Sequence, residues 1–190
     1  MDPLRQRLIV EATRQFVERG YAGTSMREIA DACGVTKAAL YYHFPSKADL
    51  LLDIVGTYLG AIATAVEHGR ASDPSPSQQL RAIVGELFAL SPEGRAVIRL
   101  ALHDLRHLPE TDRAEFGADY HQRFIQPLAD VVRAGTEAGE FAPHDPITMV
   151  WVILGMLYPF LSRGPMPGGD EQAKADVLDV LLNGLRTRPA

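Results

Sequence analysis

The sequence predicts an all-α protein of roughly nine helices, and three observations lead to that fold class. Capping residues and Gly or Pro breaks recur along all 190 residues, as they do at the ends of helices. Apolar residues repeat every three to four positions, which is the helical period. Period-2 strands joined by Asn-Gly or Asp-Gly hairpin turns are missing.

The first two helices are marked by local signals. Asp2 as N-cap and Pro3 in the first turn begin a helix that stops at Gly20. Ser25 and Glu28 have the Ser-x-x-Glu spacing of a capping box, in which each side chain satisfies an otherwise unpaired amide. A second, short helix should therefore begin there.

The later helices are predicted in the same way. Thr36 caps a third helix that runs through Tyr42 or His43, and Ser46 with Asp49 caps a longer fourth helix. Further starts are predicted near Ser77, at Ser91-Pro92, near Pro109, at Asp145-Pro146 and near Gly169.

Residues 26–43 have the pattern of a helix-turn-helix unit. Such a unit needs a small residue in its first helix, a glycine at the tight turn and apolar anchors that hold the two helices crossed. Ala30 and Gly34, four residues apart, supply the first two. The apolar anchors are Ile29, Cys33, Val35 and Leu40.

The distribution of charge is compatible with DNA binding by this unit. The whole chain has a net charge of −5, which gives no general attraction to nucleic acid. Between Gly34 and Ala48, however, there is no acidic residue. A helix over residues 36–43 is about 12 Å long, close to the roughly 12 Å width of the major groove. Lys37 at its start can reach a guanine edge or a phosphate.

The DNA-binding domain of the TetR family of transcriptional repressors is similar to residues 5–52, through the run F16…G20-Y21…T24-S25…I29-A30…G34-V35…L40-Y41…F44…K47…L50. The resemblance implies a regulator that binds double-stranded operator DNA in a sequence-specific way. Leu40 and Phe44 match core positions of the family. The positions that match its DNA contacts are Ser25, Arg27, Thr36, Lys37, Ala39, Tyr41, Tyr42, His43 and Lys47.

The resemblance also implies two domains and a homodimer. Residues 1–50 would form a three-helix DNA-binding domain, and residues 51–190 a larger helical domain that binds an effector and dimerises. Residues 147–161 are apolar on every side, and residues 173–185 carry a row of Val and Leu. A helix that is apolar all round must be buried. We expect a second copy of the chain to cover these last two helices, and the alternative is burial within their own domain.

An unidentified small-molecule effector is expected in the larger domain. Pro127 should kink a helix over about 112–138 and open room for it, because proline removes one backbone hydrogen bond. Arg95, Arg99 and Arg106 fall within about 40° on a helical wheel and suit a phosphate-bearing effector such as an acyl-coenzyme A, unless they form a solvated face. The candidate lining residues, which suit a core equally well, are Phe88, Leu102, His103, Tyr120, Phe124, Trp151 and Met156.

Other classes of function find little support in the sequence. His103 and His107 are four residues apart on one predicted helix face, with Asp104 beside them and His121 on the next helix. A convincing third metal ligand is missing, so we predict neither a metal nor a cofactor. No phosphate-binding loop, zinc-protease motif or nucleophile elbow is present, and we predict no enzyme. The alternative to a DNA-binding regulator is a helical small-molecule carrier or protein-interaction module.

We expect a cytoplasmic protein with no membrane partner. Cys33 is the single cysteine and has no intramolecular partner, and the N-terminus lacks the apolar run of a secretory signal. The strongly apolar run over residues 147–161 is shorter than the about 20 residues that span a bilayer.

Overall fold

The computed structural model describes residues 2–161 and 169–185 of the chain. These residues contain no β-strand, and the all-α prediction is confirmed. The helices are α1 (Pro3–Arg19), α2 (Met26–Ala32), α3 (Lys37–His43), α4 (Lys47–Ala71), α5 (Pro76–Phe88), α6 (Pro92–Asp104), α7 (Glu110–Tyr120), α8 (Gln126–Glu137), α9 (Pro146–Leu161) and α10 (Asp170–Leu185). The π turn His121–Ile125 joins α7 to α8 without a break. Counted as one helix, these two give nine helices in the described part of the chain.

The first helices begin at the residues that the sequence predicts. Asp2, Ser25 and Thr36 each accept a hydrogen bond from an amide in the first turn of α1, α2 and α3. Ser46 does the same for α4 through the amide of Asp49, at 3.1 Å. These caps satisfy amides that have no partner inside the helix.

The chain divides into two compact units. The first comprises Met1–Tyr58 with Ala96–Gly117, and the second comprises Leu59–Arg95 with Ala118–Ala190. Helices α1, α2 and α3 lie in the first unit, and we call these three helices the head. The first unit is therefore built from two separate stretches of sequence.

One apolar core fills the first unit. Residues that follow the head by more than fifty positions, Val97, Leu100 and Leu108, belong to the same cluster of buried side chains. Cys33 packs there as well, and burial raises the pKa of its thiol, which stays protonated. The fully buried members of this core include Leu8, Ile29, Leu40, Leu50, Leu51 and Ile54.

Helix α4 is apolar enough to cross a membrane by length and composition alone. It has 25 residues and a window with a mean hydropathy of 1.5. From the sequence, only residues 147–161 were identified as strongly apolar. Leu50, Leu51 and Ile54 of this helix are fully buried in the first unit. Burial in a protein core accounts for these apolar residues, as in the core helices of globular proteins.

In the second unit, α8 packs against α5 and α9, and α10 packs against the same two helices. The helix predicted to kink at Pro127 contains the π turn shortly before that residue, in which the amide of Gln126 donates to the carbonyl of His121. Such single turns interrupt α-helices locally. The kink at Pro127 stays a prediction. Buried members of this core include Leu80, Ile83, Val84, Leu128, Val131, Val132, Ile153, Leu154, Leu157, Leu181 and Leu182.

Two contacts organise the second unit, a long-range cap and a close approach between neighbouring turns of the chain. The Glu140 carboxylate accepts hydrogen bonds from the Ser77 amide and the Ser75 hydroxyl, both at 3.0 Å. It thereby caps α5, because the side chain of Ser75 itself makes no capping bond. At Gly135 a Cβ atom would lie 2.1 Å from a ring carbon of Phe141, so this close approach requires glycine.

Candidate nucleic-acid interface

The helix-turn-helix unit is shaped by local contacts. The Glu28 amide donates to the Ser25 hydroxyl at 3.2 Å, and the Ser25 amide donates to the Glu28 carboxylate at 2.8 Å. Hydrogen bonds from Ser25 hold the pKa of Glu28 below its usual range. Gly34 has a φ of 66°, in the left-handed region that favours glycine, and it turns the chain from α2 into α3.

Helix α3 presents a basic and aromatic surface. Leu40 is the one buried residue of this helix, whereas Tyr42 is 85% exposed. The Lys37 ammonium lies 5.4 Å from the centre of the Tyr41 ring, within cation–π range. The small side chain of Ala39 is half-buried. With no acid in the helix, this surface can approach a phosphate backbone without charge repulsion.

Two further predicted contact residues, Arg27 and His43, have acidic partners within the chain. Arg27 on α2 is exposed, and its guanidinium lies 3.6 Å from the Asp31 carboxylate in a surface ion pair. His43 at the end of α3 is largely covered, and its Nε2 atom lies 3.5 Å from a carboxylate oxygen of Asp2. Sequence reasoning missed this contact between Asp2 and His43, since the sequence showed Asp2 only as the N-cap of α1.

Lys47 is held by the chain itself. Its ammonium donates to the carbonyls of Tyr21 and Thr24, at 2.8 and 2.9 Å. It also lies 4.2 Å from the centre of the Tyr21 ring, and burial lowers the pKa of the ammonium. The structure thus places Lys47 against the loop between α1 and α2. A DNA contact by Lys47, as by the other eight residues of the set, stays a prediction.

The predicted effector residues are divided between the two units. Leu102 and His103 lie on an exposed part of α6 in the first unit, and the other five lie in the second. Phe88 and Phe124 are buried core residues, whereas the Trp151 side chain is 51% exposed. Met156 is half-buried. Contact of these residues with an effector stays a prediction.

Tyr120 has a partner that sequence reasoning missed. Its hydroxyl is hydrogen-bonded to the hydroxyl of Tyr158 on α9. Its ring centre lies 5.3 Å from that of Phe124 in the π turn. Burial raises the pKa of both phenols, so both are neutral at physiological pH. Because 38 positions separate the two tyrosines, no local sequence signal connects them.

The histidine arrangement predicted on one helix face is wrong. Helix α6 ends at Asp104, and His107 lies in the 3-10 turn Leu105–His107, which changes the direction of its side chain. The His107 ring instead stacks on Tyr21, with 5.9 Å between the ring centres. Among the residues that the structure describes, no group of three or more His, Cys, Asp or Glu side chains is placed to hold a metal ion.

The three arginines considered for a phosphate do not continue along one α-helix. Arg106 lies in the same 3-10 turn as His107. Arg95 forms an ion pair with Asp170 at the start of α10. The predicted wheel angle therefore applies to Arg95 and Arg99, which both lie on α6, but not to Arg106.

The fold and the surface of α3 define a class of protein, a helix-turn-helix DNA-binding protein. Two family models match the chain: residues 8–54 match bacterial regulatory proteins of the tetR family, and residues 73–160 match the tetracyclin repressor-like C-terminal domain. The chain belongs to the tetR family, as its sequence resemblance implies. It is accordingly a regulatory protein and not an enzyme.

Three similar proteins span nearly the whole chain. The transcriptional repressor KstR2 of Rhodococcus jostii is 26% identical over 95% of this chain and 90% of its own length. The structure of the regulator PfmR from Thermus thermophilus is 30% identical, with a TM-score of 0.81, covering 95% of this chain and 100% of that one. AibR, solved in complex with isovaleryl coenzyme A and operator DNA, is 27% identical, with a TM-score of 0.82, covering 94% and 98%.

Proposed function

We propose that the protein is a homodimeric transcriptional repressor that a small effector releases from a near-palindromic operator. The observation that carries this proposal is the surface of α3, where Lys37 and the 85% exposed Tyr42 stand on a helix without acids. Each protomer inserts α3 into a major groove, and the two grooves are separated by about 34 to 36 Å. The repressor KstR2 is similar along 95% of this chain, which supports repression as the mode of regulation.

Within this proposal, the contact residues divide into two groups. Thr36 and Ala39 at the start of α3 face base edges, because the first residues of a recognition helix enter the groove most deeply, and Lys37 beside them contacts a phosphate. Tyr41, Tyr42 and His43, with Ser25 and Arg27 of α2, contact phosphates on either side. Phosphate contacts fix the position of the protein, and base contacts select the sequence.

A second copy of the chain covers the exposed apolar residues of α9 and α10. Trp151 and Val152 on α9 are 51% and 47% exposed, and Val180 on α10 is 61% exposed. Large apolar side chains with that exposure are typical of protein–protein interfaces. A two-fold interface matches a two-fold operator, which gives the dimer twice the number of base contacts.

The effector is an amphipathic molecule, and an acyl-coenzyme A thioester is the leading candidate. AibR, which is 27% identical, was solved with isovaleryl coenzyme A bound. The neutral hydroxyl pair of Tyr120 and Tyr158, beside the buried Phe124 of the π turn, offers a polar group next to an apolar one. Because coupling between two ligands is reciprocal, operator DNA weakens effector binding by the same factor by which the effector weakens DNA binding. A regulator of this kind acts in the cytoplasm, where the DNA is.

The first experiment selects bound sequences from a random pool of duplex DNA and measures binding across a salt series. We expect enrichment of a two-fold-related motif, with log affinity falling against log salt at a slope of about −4 or steeper. The double variant Lys37→Ala, Tyr42→Ala should lose the enrichment while its helix content stays unchanged. If no motif is enriched at any salt, the chain is a helical ligand-binding protein without DNA binding.

The second experiment adds isovaleryl coenzyme A, or free coenzyme A as the control, to the protein bound to the enriched duplex. Release of the DNA by the thioester alone supports an acyl-coenzyme A effector. Equal responses to both compounds, or none to either, contradict that class of effector.

Sedimentation of the wild type beside Trp151→Asp tests the dimer, since the charged variant should sediment as a monomer.

A further inference from the structure

Lys47 occupies a position where its charge is unfavourable unless something else compensates it. It is the first residue of α4, and the positive end of the helix dipole disfavours a cation there. The ammonium donates to the carbonyls of Tyr21 and Thr24, which compensate its charge. Two of its three N–H donors are satisfied by these contacts.

The carbonyls that hold Lys47 belong to the loop that leads into α2. Thr24 immediately precedes Ser25, the N-cap of that helix. The Thr24 hydroxyl is itself tied to the carbonyls of Gln15 and Gly20, at 3.2 and 3.1 Å. The loop is therefore joined to α1 by Thr24 and to α4 by Lys47.

The Tyr21 ring completes the arrangement. It lies 4.2 Å from the Lys47 ammonium, a distance at which a cation is attracted to an aromatic face. The same ring stacks nearly parallel on His107, at an interplanar angle of 16°, and tilts against Phe16 of α1. A ring with these neighbours is a fixed surface for the ammonium.

From this geometry we propose that Lys47 is a positioning residue for the helix-turn-helix unit. Its ammonium fixes the loop over residues 21–24 to the start of α4, and so sets where α2 begins and where α3 lies on DNA. Lys47 acts through the orientation of α2 and α3, and phosphate contact is left to exposed cations such as Lys37. The inference rests on the proposed DNA binding but concerns the free protein as well.

The test compares Lys47→Met, which keeps the apolar stem and removes the donors, with Lys37→Met as the matched loss of a charge. Hydrogen exchange in the free protein should rise at residues 21–28 in Lys47→Met by about tenfold, because the loop loses its tie. Lys37→Met should leave exchange there unchanged. Unchanged exchange in Lys47→Met overturns the proposal.

Operator binding provides the second readout. Lys47→Met should bind more weakly at every salt concentration with the slope of log affinity against log salt unchanged. Lys37→Met should make the slope shallower by about 0.9 for each protomer. A slope in Lys47→Met that falls as in Lys37→Met means a phosphate contact and overturns the proposal.

A third variant covers the case in which Lys47→Met does not fold. Lys47→Arg keeps the charge for any phosphate, but a planar guanidinium does not reproduce the ammonium geometry over Tyr21. We expect faster exchange at residues 21–28 and weaker operator binding, whereas wild-type behaviour in both overturns the proposal. If the wild type selects no DNA, the proposed function fails, and the exchange data alone still decide the role of Lys47.

Discussion

The cap of α2 in the head and the cap of α5 in the second unit differ in how far apart in sequence their partners lie. The cap of α2 joins Ser25 to Glu28, three positions along the chain. The cap of α5 joins Ser77 to Glu140, 63 positions away. Two glycines are also required for different reasons, Gly34 by its own backbone angle and Gly135 by the ring of Phe141, six positions along the chain. The short-range cap leaves a motif in the sequence, and the long-range cap leaves none.

The largest effect that would sharpen this comparison is expected at Gly135. In Gly135→Ala the new Cβ atom would meet the buried Phe141 ring at 2.1 Å, so the ring or the helix must move. We expect a loss of about 1 to 3 kcal/mol in the free energy of unfolding, measured by urea denaturation. Gly117→Ala is the control, since no atom lies within 4 Å of its added Cβ, and it should gain about 0.5 to 1 kcal/mol. Equal effects of the two variants would show that the close approach is unimportant.

A smaller loss is expected at Gly34, where the cost is conformational. No atom lies within 4 Å of an added Cβ, but φ is 66°, and alanine in that region costs about 1 to 2 kcal/mol. Gly34→Asn should lose less stability than Gly34→Ala, because asparagine tolerates left-handed angles. Operator affinity should fall in the same order, from the wild type to Gly34→Asn to Gly34→Ala. If asparagine and alanine cost the same, the backbone angle is not what requires glycine.

The smallest effect is the pH dependence of the long-range cap. Hydrogen bonds from Ser77 hold the pKa of Glu140 below its usual range. The resulting stability is present above about pH 4.3, the ordinary glutamate pKa, and is lost as the pH falls through the lowered folded pKa. We expect Glu140→Gln to cost about 1 kcal/mol at pH 7 and less at pH 3.5. Urea denaturation at both pH values measures the difference.

Glu137→Gln is the control for this measurement, because Glu137 is an exposed residue at the end of α8, three positions before Glu140. It should leave the free energy of unfolding nearly unchanged at both pH values. A gap between wild type and Glu140→Gln that stays constant from pH 7 to pH 3.5 would mean that the carboxylate charge contributes nothing to the cap.

Much of the head could be predicted from sequence because its signals are adjacent to what they control. The caps at Asp2, Ser25 and Thr36 and the turn at Gly34 all appear in the structure at the predicted residues. The exposed face of α3 could also be predicted, because it depends only on the residues of that one helix. What could not be predicted is the engagement of Lys47, since its acceptors lie 23 and 26 positions earlier.

In the second unit, only the helix starts were visible from sequence. The seven candidate effector residues, of which five lie in this unit, shared an apolar or aromatic character, but that character does not separate a core residue such as Phe124 from an exposed one such as Trp151. In the first unit, the prediction that His103 and His107 share one helix face was wrong, because α6 ends at Asp104. Tyr158 was overlooked because its partner lies on a different helix.

The sequence by itself determined the all-α class, the helix starts and the helix-turn-helix unit, because caps, turns and helical periodicity depend on residues a few positions apart. The tertiary structure alone decided three things. It joined Val97, Leu100 and Leu108 to the core of the head, placed Glu140 on α5 and tied Lys47 to the loop before α2. Each depends on which helices meet in space, and that choice is made by the packing of the whole chain rather than by any short segment.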